Sequence, residues 1–172
     1  MDIEVHMGDM VVHKGSQVLV TSGIGSCLVI TLYDPRLKIG ALAHTMVPSS
    51  ATCCLAAVAS NKSPNDEPRT TNYELRTTNS DTKYVDEAIG QMLNGLQAKG
   101  SNRADLEAKL IGGSNMFPSL MSDDIGRDNI LSARNKLKAE GITIAGECVG
   151  GSQGRSVEFS PTTGVVTVKV KF

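Results

Sequence analysis

Between Thr21 and Pro48 the chain reads TSGIGSCLVITLYDPRLKIGALAHTMVP: two apolar runs joined across DPRL. Runs of this kind, β-branched and aliphatic and bounded by glycine, aspartate and proline, pair as an antiparallel hairpin. Taking Asp34–Leu37 as the loop sets Tyr33 opposite Lys38 and Cys27 opposite His44. Directly opposed residues hold their Cβ atoms about 4.5–5.5 Å apart on one face, which brings a thiol and an imidazole within reach. The register is internally consistent. Leu28, Ile30 and Leu32 share a face with Ala43, Ala41 and Ile39, so this is the core face. The other face sets Cys27, Val29, Thr31 and Tyr33 against His44, Leu42, Gly40 and Lys38; it is mixed and is read as accessible. A slip of one residue would turn the apolar set of one strand outward. A shorter loop with a bulge would give a different pairing, so the four-residue loop is the assumption on which the register rests.

A chain of 172 residues, 40 % of them hydrophobic, suits one domain, 1–172, with a sizeable core. With three Phe, three Tyr and no Trp, that core must be aliphatic. The net charge of −1, with no basic run, argues against nucleic acid as a partner. No run approaches the length of a membrane-spanning helix, and MDIEVHMGDM is not a signal peptide, so a cytoplasmic location is the default expectation. There Cys27, Cys53, Cys54 and Cys148 are expected as free thiols. Their spacing contains no C-x-x-C pair, so no metal site is expected.

Along the chain, 2–6, 10–14 and 17–21 read as strands, followed by the glycine turn SGIGS and the hairpin. Residues 49–82 are polar, contain Pro64 and Pro68, and repeat RTTN at 69–72 and 76–79. They are expected to form a flexible insertion. A helix is predicted over 81–99, with Asp81 at its N-cap, an apolar stripe from Tyr84 to Leu96, and Gly100 after its end. A strand over 107–112, a helix over 124–140 with Ile130, Ala133 and Leu137 inward, a strand over 142–149 and a hairpin of 156–160 with 165–172 complete the chain. Many strands with two main helices, not alternating βαβ, predict a layered α/β sandwich with mixed, largely antiparallel sheets.

Cys27 follows the glycine turn, where backbone N–H groups near Gly25 and Ser26 are placed to meet a substrate oxygen. A cysteine there is either a nucleophile or an inert core thiol. Cys53, Cys54 and Cys148 have no comparable setting and read as loop or core thiols. His44 gains interest only through Cys27: an adjacent imidazolium lowers a thiol pKa toward neutrality. His6 and His13 read as surface residues. Thr21 is either an ordinary β-branched strand residue or a hydroxyl that accepts from the second ring nitrogen of His44. The pairs Gly112–Gly113 and Gly150–Gly151 match no phosphate loop and mark strand ends crowded near a site. Asn115, Gln153 and Arg155 lie beside them, either contacting a substrate or exposed to solvent. Phe117 is either core or a partner contact.

GSCLVITLYDPRLKIGALAHTMVP, KYVDEAI, KLIGGSNMF, IGRDN and ECVGGSQGRSVEFSPTTGVVTV, in this order, resemble the CheD family of chemoreceptor glutamine deamidases, from about Gly8 to Val168. The resemblance implies an α/β/β sandwich related to cysteine-dependent deamidating toxins. It implies hydrolysis of selected glutamines on methyl-accepting chemotaxis receptors to glutamate, without metal or cofactor. The family's nucleophile, histidine and threonine fall on Cys27, His44 and Thr21. A CheC-type phosphatase is the implied partner. Two rival roles remain on the same residues: an adaptor for that phosphatase, and an esterase acting on glutamyl methyl esters. The chain departs from the family in three places: Arg127 stands one place early in IGRDN, Cys148 replaces a common aspartate, and 49–82 is long.

Overall fold

The computed structural model describes residues 1–49, 69–71, 74–77, 80–116 and 124–171. Its strands are β1 (Ile3–Glu4), β2 (Met10–His13), β3 (Leu19–Ile24), β4 (Leu28–Asp34), β5 (Ile39–Thr45), β6 (Arg69–Thr71), β7 (Glu74–Thr77), β8 (Glu107–Gly112), β9 (Thr143–Val149), β10 (Gly154–Phe159) and β11 (Val166–Lys171). The helices are α1 (Val85–Ala98) and α2 (Ile125–Ala139). Seven strands form one sheet in the order β6-β7-β2-β5-β4-β8-β9, and four form a second in the order β1-β3-β10-β11. Most neighbours are antiparallel; β1 with β3 and β8 with β9 are parallel. The layered sandwich of mixed sheets and two main helices is therefore as the sequence predicts.

Alternation along β4 and β5 feeds two cores. Leu28, Ile30, Leu32, Ile39, Ala41 and Ala43 face the helices, packing with Ile89, Met92 and Leu93 of α1 and Ile130, Ala133 and Leu137 of α2. Val29 and Leu42 face the other way, joining Leu19 and Ile24 of β3 and Val157 and Phe159 of β10. The face read as accessible is thus covered by the four-stranded sheet. Phe159 lies over Gly40, where any Cβ would come within 2.5 Å of its ring, and Tyr33 meets it edge-on at 6.3 Å. Of its polar members, His44 is bonded to Thr21 of the second sheet at 2.8 Å, and the Tyr33 hydroxyl donates to Thr162 O in the turn after β10 at 3.3 Å.

The hairpin register differs from the sequence expectation by one step of the loop. The structure pairs Asp34 with Ile39, Val29 with His44 and Leu28 with Thr45. The loop is Pro35–Lys38, not Asp34–Leu37. The cause is Asp34: it is fully buried, and its Oδ1 accepts from the backbone N–H of Arg36 at 2.9 Å and Leu37 at 3.0 Å. Asp34 therefore ends the strand, an Asx turn follows, and Lys38 takes the left-handed conformation with φ 51°. Partners move by two residues, so every side chain keeps its face. Cys27 is then diagonal to His44, not opposite it.

Three other local expectations change. Asp81 does not cap α1: it lies in a 3-10 turn over Ser80–Lys83, and the cap residue is Tyr84, with no side-chain hydrogen bond. Val47 instead accepts the Val85 N–H at 2.9 Å. A missing side-chain cap costs about 1 kcal/mol, against about 1.5–3 kcal/mol for each large apolar side chain fully buried, so the stripe from Val85 to Leu96 decides the helix. His13 is buried, not superficial, because β2 lies inside its sheet between β5 and β7. The glycine turn is shorter than SGIGS, since β3 runs on to Ile24. Both helices close as expected on glycines with positive φ, Gly100 and Gly141. In each, the N–H of the next residue reaches back into the last turn, Ser101 to Leu96 and Ile142 to Leu137.

The insertion expected at 49–82 falls largely outside the described residues, together with Cys53 and Cys54. Among its described residues Arg69–Thr71 form β6 and Glu74–Thr77 form β7, and β7 pairs antiparallel with β2.

Candidate active site

The chain passes from the small sheet to the large one through Gly25, Ser26 and Cys27, between β3 and β4. Three successive carbonyls of this crossover are held from behind. Gly25 O accepts from Ser114 N at 2.9 Å, Ser26 O from the Asn129 side chain at 2.9 Å, and Cys27 O from Gly113 N at 2.8 Å. Such close backbone approach needs glycine. At Gly112 (φ 114°) a Cβ would lie 2.4 Å from the Cys27 carbonyl, and at Gly126 it would lie 2.6 Å from the Gly113 carbonyl. The crossover itself is open: Ser26 is exposed, and Gly25 and Cys27 are half-buried.

Thr21 on β3 and His44 on β5 face each other across the space between the sheets. Thr21 Oγ1 lies 2.8 Å from His44 Nδ1, and both residues are buried. His44 Nε2 has no hydrogen-bond partner among the described residues. The backbone of His44 is fixed as well, its N–H donating to Asp9 O at 3.0 Å and its carbonyl accepting from Gly8 N at 2.7 Å. Beside Thr21 the β3–β10 ladder is irregular. Thr21 pairs with Val157 and Ile24 with Arg155, so β3 carries one residue more than β10 between these pairs.

Burial controls both titratable groups. It raises the Cys27 thiol above its ordinary value, a rise opposed by a backbone hydrogen bond, and it lowers His44 to about 4. At neutral pH the pair is therefore thiol and neutral imidazole. Burial favours the uncharged form of both groups, against a resting thiolate–imidazolium pair.

The family model described as CheD chemotactic sensory transduction matches residues 68–170. The chain is 34 % identical over 170 residues to a probable chemoreceptor glutamine deamidase CheD of Pyrococcus abyssi, covering 98 % of this chain and 91 % of that one. The chain belongs to the CheD family. Two further CheD relatives, both named chemoreceptor glutamine deamidase, come from Halalkalibacterium halodurans (32 % identity, 97 % and 92 % of the two chains) and Thermotoga maritima (33 %, 96 % and 89 %).

The remaining predicted residues of this CheD-family chain have varied positions. Arg155 is buried and does not present its guanidinium to solvent. Nη1 donates to Ser114 Oγ at 2.7 Å and Nη2 to Gly150 O at 2.7 Å, so it ties the small sheet to the loops that back the crossover. Asn115 is half-buried, its N–H donating to Gly151 O at 2.8 Å. Gln153 has an exposed side chain, and its carbonyl accepts from Ser114 Oγ at 2.9 Å. Phe117 lies outside the described residues. Cys148 is half-buried on β9, paired with Ile111, and is a free thiol like Cys27. Arg127 is exposed on α2.

Ser114 and Asn129, two of the buried polar residues that escape the sequence reading, hold the crossover from behind. The second had a signal. Asn129 falls on the inward face of α2 with Ile130, Ala133 and Leu137, and a carboxamide on such a stripe is a polar group the interior must satisfy. Ser114 had none beyond its place after Gly113.

Proposed function

We propose that this chain is a cysteine-dependent hydrolase, a single domain that converts selected glutamine side chains of chemoreceptors to glutamate with release of ammonia. The names of its relatives support the substrate. The buried Thr21–His44 hydrogen bond, with His44 on the strand paired to the one that Cys27 leads into, supports the chemistry. Thr21 Oγ1 accepts from His44 Nδ1–H, which leaves Nε2 as the basic atom. His44 Nε2 takes the Cys27 proton as Sγ attacks the side-chain carbonyl carbon of glutamine. The backbone N–H groups at Gly25–Cys27 meet the oxyanion, an interaction worth about 2.7–4 kcal/mol elsewhere. His44 returns the proton to the leaving nitrogen, ammonia departs and a thioester remains. Water then attacks the thioester with His44 as base, which restores the thiol and leaves a carboxylate. The sum is carboxamide plus water to carboxylate plus ammonium.

Cys27→Ala should abolish ammonia release from a purified chemoreceptor cytoplasmic fragment and the 1 Da gain, glutamine to glutamate, on its peptides. Retained deamidation would refute the assignment. A methyl-esterified receptor peptide in the same assay separates deamidase from esterase. The family resemblance extends the reading to a cytoplasmic location and a CheC-type phosphatase partner. Co-purification of that phosphatase with both wild type and Cys27→Ala would support an adaptor role alongside catalysis, and no complex with either would exclude it.

A further inference from the structure

The last rung of the β4–β5 ladder is Leu28 with Thr45. Beyond it the strands separate, and the two chain ends that leave it carry Cys27 on one side and Met46 on the other. One side chain spans the gap. Asn129 Nδ2 donates both hydrogens, one to Ser26 O at 2.9 Å and one to Met46 O at 3.1 Å. Ser26 immediately precedes Cys27, and Met46 follows two residues after His44. Asn129 is fully buried, and α2 is anchored beneath the sheet by Ile130, Ala133 and Leu137. The amide orientation is dictated by its neighbours, since a flipped carboxamide would turn its oxygen toward two carbonyls. In the orientation found, Oδ1 is buried without a partner among the described residues. The fold thus leaves one acceptor unsatisfied in order to keep both donor bonds.

We propose that Asn129 is a positioning residue: it replaces the missing rung and holds the Cys27 crossover against the strand that carries His44, so that proton transfer between them occurs at a fixed separation. The proposal rests on the deamidase reading for its role in turnover. It goes beyond that reading because Asn129 touches neither the reacting atoms nor the Thr21–His44 pair.

The test uses the full chain with Asn129→Ala and Asn129→Asp, the second keeping the shape while removing the donors. Three quantities are read: thermal unfolding, kcat and KM for ammonia release, and the rate at which iodoacetamide alkylates Cys27, resolved by peptide mass spectrometry. Each variant is also made in a His44→Ala background. Loss of positioning lowers kcat about tenfold or more with KM little changed. It slows Cys27 alkylation where His44 is present and leaves it unaltered in His44→Ala. Equal slowing in both backgrounds, or a lowered Tm with kcat and alkylation unchanged, would overturn the proposal, as would failure of both variants to fold. A wild type that alkylates but releases no ammonia from receptor fragments instead refutes the deamidase reading, and the alkylation comparison still decides the role of Asn129.

Discussion

Thr21 Oγ1 and His44 Nδ1, 2.8 Å apart, form a hydrogen bond between the two sheets, because β3 belongs to the small sheet and β5 to the large one. The orientation of the imidazole therefore depends on how the sheets pack. Thr21→Val keeps the shape and removes the acceptor. A buried hydrogen bond contributes about 1 kcal/mol net, so kcat should fall roughly fivefold or more if the ring loses its tautomer. Thr21→Ser should retain most of the activity. Steady-state ammonia release from a receptor fragment checks both, and a Thr21→Val enzyme with wild-type kcat would remove the threonine from the mechanism.

Burial of His44 also links pH to stability. Its folded pKa, about 4, lies below the unfolded value of 6.5, so between these limits the unfolded chain binds more protons. Stability contributed by this group is complete above about 6.5 and is lost as pH falls toward 4, a change on the order of 3 kcal/mol. Urea unfolding at pH 7 and pH 5 should show the folded state weakened at pH 5. The loss should be smaller in His44→Gln, which has no proton to gain. An equal loss in both proteins would assign the acid sensitivity to other groups.

The layers were legible because periodicity reports faces, and faces survive the error in register. Both faces of the hairpin were correctly divided even though Cys27 turned out diagonal to His44. What the pattern could not report is which residue ends a strand. Placing Asp34 in the loop rests on an assumed loop length, whereas its buried carboxylate caps Arg36 and Leu37 from within the strand. Contacts between distant segments were equally silent. Arg155 looks like any loop arginine until Ser114, Gly112 and Gly150 are seen around it. Their proximity comes from the packing of β10 against the ends of β8 and β9, which no local spacing encodes. The pair Gly112–Gly113 was the exception, since a residue without Cβ is itself a statement about crowding, whereas Gly150 and Gly151 have room for a Cβ and answer to their positive φ of 76° and 75°.

That crowding makes Gly112 the sharpest single test of how the crossover is built. Its φ of 114° is poorly accessible to other residues, and a Cβ would meet both the Cys27 carbonyl at 2.4 Å and the Ile24 side chain at 2.6 Å. Neither contact can be relieved by turning a surface side chain, because one is backbone and Ile24 is fully buried. Gly112→Ala should therefore push the Cys27 segment outward, weakening the Gly113 N–H bond to the Cys27 carbonyl. Strain of this kind costs about 1–3 kcal/mol, and a displacement near 1 Å at a nucleophile can cost about a hundredfold in rate. Gly146→Ala is the matched control, since its Cβ would meet only the Lys109 side chain at 3.7 Å. Deamidation measured on both, with Tm alongside, should show a large loss of kcat in Gly112→Ala and little change in Gly146→Ala. A fully active Gly112→Ala enzyme would mean that the crossover is not held by its fit against β8.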